Sequence, residues 1–204
     1  MAEASGGARV RSWRRSVVTG LMAFVLAGAI APAAEAAPAA PQREVAAPAA
    51  PQREVAAPAA TYGPYRIMND NSNQCLVVRG TAQWAPVVQT PCGYYRDQYW
   101  YFIVRPETNP SGPRYLLQNA NSGKCLVVQG RALEAPASQV TCNSAYLDQV
   151  WWMSGSPQIG RYTSLANAYS YHCLLVRGFV VGQRATQTTC NPGYIDQAWI
   201  LLRD

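Results

Sequence analysis

Short apolar runs separated by turn residues fill the chain from about residue 62 onward. Runs such as CLVV (75–78) and CLLV (173–176) are rich in Val and Leu, and others are rich in Tyr and Trp. They are bounded by Asn-Ser or Gly positions. Short runs of this composition between turn residues are typical of strands rather than helices. The sequence therefore predicts an all-β fold.

The same pattern occurs three times, in segments that begin at Tyr65, Tyr115 and Tyr162 when they are laid over one another. They read NDNSNQCLVVRG, NANSGKCLVVQG and NAYSYHCLLVRG, and each continues to a second cysteine and then to DQYW, DQVW or DQAW. A unit of about forty-eight residues cannot bury its apolar face alone, so three related units predict a closed pseudo-threefold assembly. We expect Trp100, Trp151 and Trp199 to meet in one shared core.

All six cysteines lie within these three units, and the two in each unit are 17 residues apart. The pairs are Cys75 and Cys92, Cys125 and Cys142, and Cys173 and Cys190. Six cysteines permit fifteen pairings, and one pair per repeat is the simplest that a threefold chain allows. We predict one disulfide per repeat, formed in an oxidising compartment.

The N-terminal third has a different composition. Arginines precede an apolar run over 17–30 and the small-residue sequence Ala34-Glu35-Ala36, which predicts a signal peptide over residues 1–36. Residues 37–61 are Ala/Pro-rich and contain the decapeptide PQREVAAPAA twice, which predicts an extended linker. The repeats then follow at about 62–111, 112–159 and 160–204. We expect a secreted protein with no membrane span in its mature form. An uncleaved membrane anchor is the less favoured alternative.

Charge argues against a nucleic-acid partner. The whole chain has a formal net charge of +6, but residues 62–204 contain eleven Arg or Lys and seven Asp or Glu. The basic residues are scattered singly, whereas a nucleic-acid surface concentrates them in a patch.

The cysteine-closed units with DQYW, DQVW and DQAW resemble the ricin-type QxW repeat, in the form found in secreted bacterial proteins, over all of residues 62–204. The resemblance implies a β-trefoil of three four-stranded repeats, twelve strands in all. It also implies a relationship to carbohydrate-binding modules, so that glycans or glycoconjugates are the expected partners.

The sugar-contact pattern of the family is only partly present. Active repeats of sugar-binding members have an Asp two residues after the first cysteine, an aromatic residue two before the second, and Asn-Gln opening QxW. Here the Asp position holds Val77, Val127 and Leu175, the aromatic position holds Thr90, Val140 and Thr188, and the Asn position holds Asp97, Asp148 and Asp196. Two of the contacts are therefore missing in every repeat.

Candidate sugar ligands remain at positions that recur and at one that does not. The recurring candidates are Asp97, Asp148 and Asp196, with Gln98, Gln149 and Gln197 and the tyrosines Tyr95, Tyr146 and Tyr194. The alternative is that these residues are scaffold, because a pseudo-threefold core needs the same side chain three times. Trp84 has no counterpart in the other copies and is a candidate for ligand stacking. Because the second repeat has no such unshared aromatic in these loops, a pocket is expected in the first or third repeat.

No catalytic constellation is visible. His172 is the single histidine, and the three Asp residues are spread over three repeats rather than paired as glycoside hydrolysis requires. We expect no enzymatic activity, no cofactor and no metal. Two functions stay open: a secreted lectin-like module with atypical sugar pockets, and a trefoil that has lost sugar binding and acts as a protein-binding or inhibitor module.

Overall fold

The computed structural model describes residues 59–105 and 112–203. The predicted signal peptide and nearly all of the predicted linker lie outside these residues. The described part contains thirteen strands: β1 (Thr61–Asn69), β2 (Gln74–Val77), β3 (Val88–Pro91), β4 (Tyr99–Arg105), β5 (Arg114–Asn119), β6 (Cys125–Val128), β7 (Ala137–Val140), β8 (Val150–Trp152), β9 (Tyr162–Thr163), β10 (Ala166–Asn167), β11 (His172–Leu175), β12 (Thr186–Thr189) and β13 (Trp199–Leu202). Short 3-10 turns at Arg96–Gln98, Leu147–Gln149 and Ile195–Gln197 precede the last strand of each repeat.

The strands form the three repeats of a β-trefoil, as predicted. In every repeat the two middle strands make a short antiparallel hairpin: β2 with β3, β6 with β7, and β11 with β12. The outer strands pair with one another and with the neighbouring repeats through β4–β5, β8–β10 and β13–β1, which closes a barrel. The thirteenth strand arises because the first strand of the third repeat is divided into β9 and β10.

The strand register corrects the alignment of the three copies by one residue. Tyr65 lies opposite Trp100 and Tyr115 lies opposite Trp151, whereas Thr163, not Tyr162, lies opposite Trp199. Neighbouring side chains of a strand point to opposite faces, so the shift places Thr163 in the interior and leaves Tyr162 exposed. The third repeat therefore lacks the buried tyrosine of the other two.

One apolar core is shared by all three repeats. Trp100, Trp151 and Trp199 are fully buried in the same cluster, which confirms their predicted meeting. Their indole N–H groups donate to the backbone oxygens of Leu76, Leu126 and Leu174 at 3.2, 3.1 and 3.1 Å, respectively. The QxW tryptophan thus fixes the second strand of its own repeat to the core.

The three disulfides join the cysteines within each repeat, as predicted. The Cα–Cα distance is 4.9 Å in each, so each bridge ties the second strand of its repeat to a cysteine one or two residues beyond the end of the third strand. Among the described residues there is no free cysteine.

A ring of buried glutamines, which the sequence did not single out, joins each repeat to the one before it. Gln139 Nε2 in the second repeat donates to the backbone oxygens of Gly80 and Ala82 in the first, at 3.2 and 3.0 Å. Its Oε1 accepts from Ser122 Oγ at 2.6 Å. Gln89 and Gln187 make the equivalent bonds. The loop that follows the second strand of each repeat is thereby held against the next repeat, or against the first in the case of the third.

No helix among residues 59–105 and 112–203 is long and apolar enough to cross a membrane.

Candidate functional site

A cavity of about 420 Å³ opens on the second repeat. Its lining includes Val127 and Val140, the positions at which the family pattern would have an Asp and an aromatic residue, and both are buried. Polar groups come from the residue just after the second strand, from the segment after the third strand and from the 3-10 turn. They belong to Gln129, Thr141, Asn143, Tyr146, Asp148 and Gln149. The first repeat contributes Gln83 and Trp84.

Trp84 reaches this cavity because its loop crosses to the second repeat. Its backbone N–H donates to Gln139 O at 2.8 Å, and Gln83 Oε1 accepts from the Thr141 N–H at 2.9 Å. Trp84 also borders a second cavity of about 220 Å³ with Val127 and Gln129. The cavity of the second repeat therefore has an unshared aromatic residue that comes from the first repeat, because the loop after β2 contacts the neighbouring repeat.

The backbone of Trp84 is held in the left-handed region, with φ at 64°. At the equivalent positions Glu134 has φ at 59° and Gly182 has φ at 84°, so the turn itself demands this conformation. A side chain with a Cβ in this region costs about 1 kcal/mol or more, and glycine avoids that cost. The Trp84 side chain is nevertheless 51 % exposed. Trp84 is therefore a large, exposed aromatic residue with a left-handed backbone, and it fills no core position.

Asp148 is the carboxylate of this cavity, and no side chain among the described residues forms a hydrogen bond or an ion pair with it. Its Oδ1 is buried without a partner. Burial raises the pKa of Asp148, and the backbone N–H groups of Asp148 and Gln149 act in the opposite direction to a lesser extent. Asp148 is thus a desolvated acceptor with unused hydrogen-bonding capacity.

The equivalent carboxylates of the other repeats are neutralised internally. Arg79 Nη1 lies 2.6 Å from Asp97 Oδ2 in the first repeat, and Arg177 Nη1 lies 3.3 Å from Asp196 Oδ2 in the third. The second repeat has Gln129 at this position, four residues after the first cysteine. The replacement of arginine by Gln129 is visible in the sequence, but its meaning depends on the pairing of Arg79 and Arg177 with the Asp of their own repeat, which only the structure shows.

At the position equivalent to Trp84, Glu134 of the second repeat contacts the third repeat and forms a further ion pair there. Glu134 Oε1 lies 2.7 Å from Arg177 Nη2, and Thr186 Oγ1 donates to Glu134 Oε2 at 2.9 Å. The bond with Arg177 lowers the pKa of Glu134, and the same bond raises that of Arg177. A cavity of about 350 Å³ lies beside Arg177 and Asp196, but there the carboxylate already has a cation partner. Asp97 Oδ1 and Asp196 Oδ1 are buried without a partner, as Asp148 Oδ1 is, so the missing cation is what distinguishes Asp148.

The glutamines of the QxW motifs are buried and bonded to the backbone around the second cysteine. The backbone N–H groups of Gly93, Asn143 and Asn191 donate to Gln98, Gln149 and Gln197 at 2.7, 2.9 and 2.9 Å. Gln98 Nε2 also donates to Thr90 Oγ1 at 2.9 Å, whereas Val140 offers no such acceptor to Gln149. Gln149 Nε2 has no acceptor within the described part of the chain. The structure thus places these glutamines in the scaffold, with Gln149 also at the cavity wall.

The tyrosines before these motifs are exposed in all three repeats, Tyr95, Tyr146 and Tyr194 alike. Tyr146 lines the cavity with Trp84 and Asp148. Tyr95 lies beside Arg79, with 5.9 Å between the guanidinium carbon and the ring centre. The structure therefore brings together one candidate of each predicted kind, Asp148, Gln149 and Tyr146, with the unshared Trp84.

No group of three or more His, Cys, Asp or Glu side chains within residues 59–105 and 112–203 is arranged to hold a metal ion.

Comparison with known proteins agrees with the fold. The sequence pattern of the family described as ricin-type beta-trefoil lectin domain-like matches residues 52–143 and, in a second register, residues 96–188. No curated protein sequence matches the chain.

Solved structures share the trefoil. ThreeFoil, a designed threefold-symmetric protein, is 22% identical with a TM-score of 0.59 over 69% of this chain and 98% of its own. The C-half of an earthworm R-type lectin, solved with GalNAc, is 11% identical with a TM-score of 0.51 over 69% and 98%. An exo-beta-1,3-galactanase from Clostridium thermocellum is 22% identical with a TM-score of 0.60, and the match spans 69% of this chain but 30% of the enzyme. The repeats, the shared tryptophan core and the family match together show that this chain belongs to the ricin-type β-trefoil lectin-like domain family.

Proposed function

We propose that this chain is an extracellular glycan-binding module without catalytic activity, and that the second-repeat cavity is its sugar site. The observation that carries the proposal is the convergence on one cavity of an exposed Trp84 and of Asp148, whose carboxylate pairs with no cation among the described residues and whose Oδ1 is buried without a partner. An aromatic face covers the apolar C–H face of a pyranose, while a carboxylate accepts hydrogen bonds from its hydroxyl groups. Three disulfides support an extracellular location.

In this site the carboxylate comes from the 3-10 turn, and the aromatic residue comes from the preceding repeat. Val127 and Val140 occupy the positions of the family's Asp and aromatic residue, and they make the cavity wall apolar instead. Gln149 Nε2 and Gln129 add amide groups that can fix hydroxyl orientation. We therefore propose that the two contacts missing from the sequence pattern have moved to Asp148 and Trp84.

A glycan array probed with the full chain tests this function. We expect at least one glycan to bind wild type, and Trp84→Ala and Asp148→Ala each to weaken it about tenfold, as loss of a central aromatic contact or a charge-assisted hydrogen bond does. Phe179→Ala is the matched control, because Phe179 is an unshared exposed aromatic of the equivalent third-repeat loop and lies outside this cavity.

Two results would count against this assignment. If Asp97→Ala or Asp196→Ala abolishes binding while Asp148→Ala does not, the site is in another repeat. If wild type binds no glycan at all, the second candidate function, recognition of a protein, gains support. The observation that favours that candidate is the exposed apolar run Phe179, Val180 and Val181, with exposed fractions of 66, 69 and 59 %.

A further inference from the structure

The three repeats place the equivalent carboxylate in two different charge environments. Asp97 and Asp196 each pair with an arginine that lies four residues after the first cysteine of their own repeat. In the second repeat this residue is Gln129, and no cation among the described residues replaces the guanidinium beside Asp148. Asp148 is therefore the anion of an ion pair that is complete in the first and third repeats and lacks its cation in the second.

The tyrosine that lies beside the arginine in the first repeat has an equivalent in the second repeat, where the arginine is replaced by Gln129. In the first repeat the Arg79 guanidinium bonds Asp97 and also lies 5.9 Å from the ring centre of Tyr95. The equivalent Tyr146 lines the second-repeat cavity, and Trp84 lines the same cavity. Aromatic faces attract cations electrostatically, and tryptophan does so most strongly. The cavity thus combines a carboxylate with two aromatic side chains in a space large enough for a sugar ring.

We propose that the ligand supplies the missing cation, so that the second-repeat pocket prefers sugars with a protonated primary amine over neutral sugars. This inference rests on the proposed glycan-binding function and names the class of glycan. The ammonium group bonds Asp148 as Arg79 bonds Asp97, and the pyranose ring lies against Trp84. Gln129, which is shorter than arginine and uncharged, leaves room for the ligand and offers its amide to the sugar hydroxyl groups.

Protonation limits the binding of the amine at both low and high pH. Of the residues that line the cavity, Asp148 and Tyr146 alone can titrate, because Cys142 is bonded to Cys125. Binding of the amine requires ionised Asp148 and the protonated ligand. Because burial raises the pKa of Asp148, amine binding is lost in acid at a higher pH than an exposed aspartate would give. It is lost again when the amine releases its proton.

The test is calorimetric titration of the full chain with three matched series. Each series contains the amino sugar, its N-acetyl derivative and the neutral parent, with the gluco, galacto and manno configurations represented. We expect the amino sugar of at least one series to bind about tenfold more tightly than its N-acetyl and neutral partners, the gain typical of a charge-assisted hydrogen bond.

Variants at Asp148 and Gln129 assign that preference to the pocket. Asp148→Asn should remove the preference for the amine. Gln129→Arg should also remove it, since the new guanidinium would pair with Asp148 as Arg79 pairs with Asp97. Gln129→Met is the matched control of similar length without charge. It loses the amide contact with every sugar of a series, so the affinities should fall together while the ratio that defines the amine preference is kept. Thermal unfolding of each variant confirms that it is folded.

The outcomes separate this inference from the function on which it rests. Equal affinity for amino and neutral sugars in every series, with Trp84→Ala weakening both, overturns the amine preference and leaves glycan binding standing. A preference for the amine that survives Gln129→Arg also overturns it, because the amine would then bind elsewhere. A wild type that binds no sugar in any series and no glycan on the array contradicts both.

Discussion

Single residues at threefold-equivalent positions distinguish the pockets of this molecule. Trp84, Glu134 and Gly182 occupy the same left-handed turn position and face the second, third and first repeats respectively. The Trp84 side chain lines a cavity, the Glu134 side chain forms an ion pair, and Gly182 has no side chain. Because the backbone is common to all three, the differences report what each side chain does rather than what the fold requires.

We expect the left-handed backbone of Trp84 to lower the free energy of unfolding. We expect Trp84→Gly to be about 1 kcal/mol more stable than Trp84→Ala in chemical denaturation. Both variants lose the indole ring, but alanine keeps the unfavourable left-handed φ and glycine relieves it. The difference is reduced somewhat by the greater freedom of glycine in the unfolded chain. Both should bind glycan equally poorly. An alanine variant as stable as the glycine variant would contradict the strain.

At the scale of elements, the sequence predicts what three repeats need in common. The strands, the three disulfides and the tryptophan core recur because each repeat must contribute the same piece of one barrel. The contact between the Trp84 loop and the second repeat is set by Gln139, about 55 residues away, and local pattern carries no information about it. The misplaced Tyr162 has a similar origin: only pairing with Trp199 shows that Thr163 is the interior residue.

The Gln139 contact makes a prediction about how the site is positioned. Gln139→Leu leaves the Gly80 and Ala82 carbonyls without their bonds, and we expect it to destabilise the fold by about 2 kcal/mol. Gln187→Leu removes the same bonds to Gly130 and Ala132 and should cost a similar amount. Only Gln139→Leu should weaken glycan binding, because only its loop carries Trp84. Denaturation and titration of both variants measure this, and equal binding losses would show that the loop is positioned by other contacts.

At the scale of the whole molecule, the three repeats depend on one another. The core cluster draws residues from each repeat, and the third repeat completes the barrel by pairing β13 with β1. A repeat on its own would expose most of the apolar surface that the other two cover. Unfolding one repeat therefore removes the partner surface of the others, which favours a single cooperative transition over three separate ones.

The disulfides provide a way to test this dependence. Each bridge closes a loop of the same 17-residue separation, so replacing either the Cys75–Cys92, the Cys125–Cys142 or the Cys173–Cys190 pair by serines should cost about 3 kcal/mol on the chain-entropy model. Calorimetry should show one transition in wild type and in each variant, shifted to lower temperature by similar amounts. If one variant instead shows two transitions, its repeat unfolds independently, and the shared core does not couple the three units. Because the core tryptophans bond the strands that these bridges anchor, we expect the single transition.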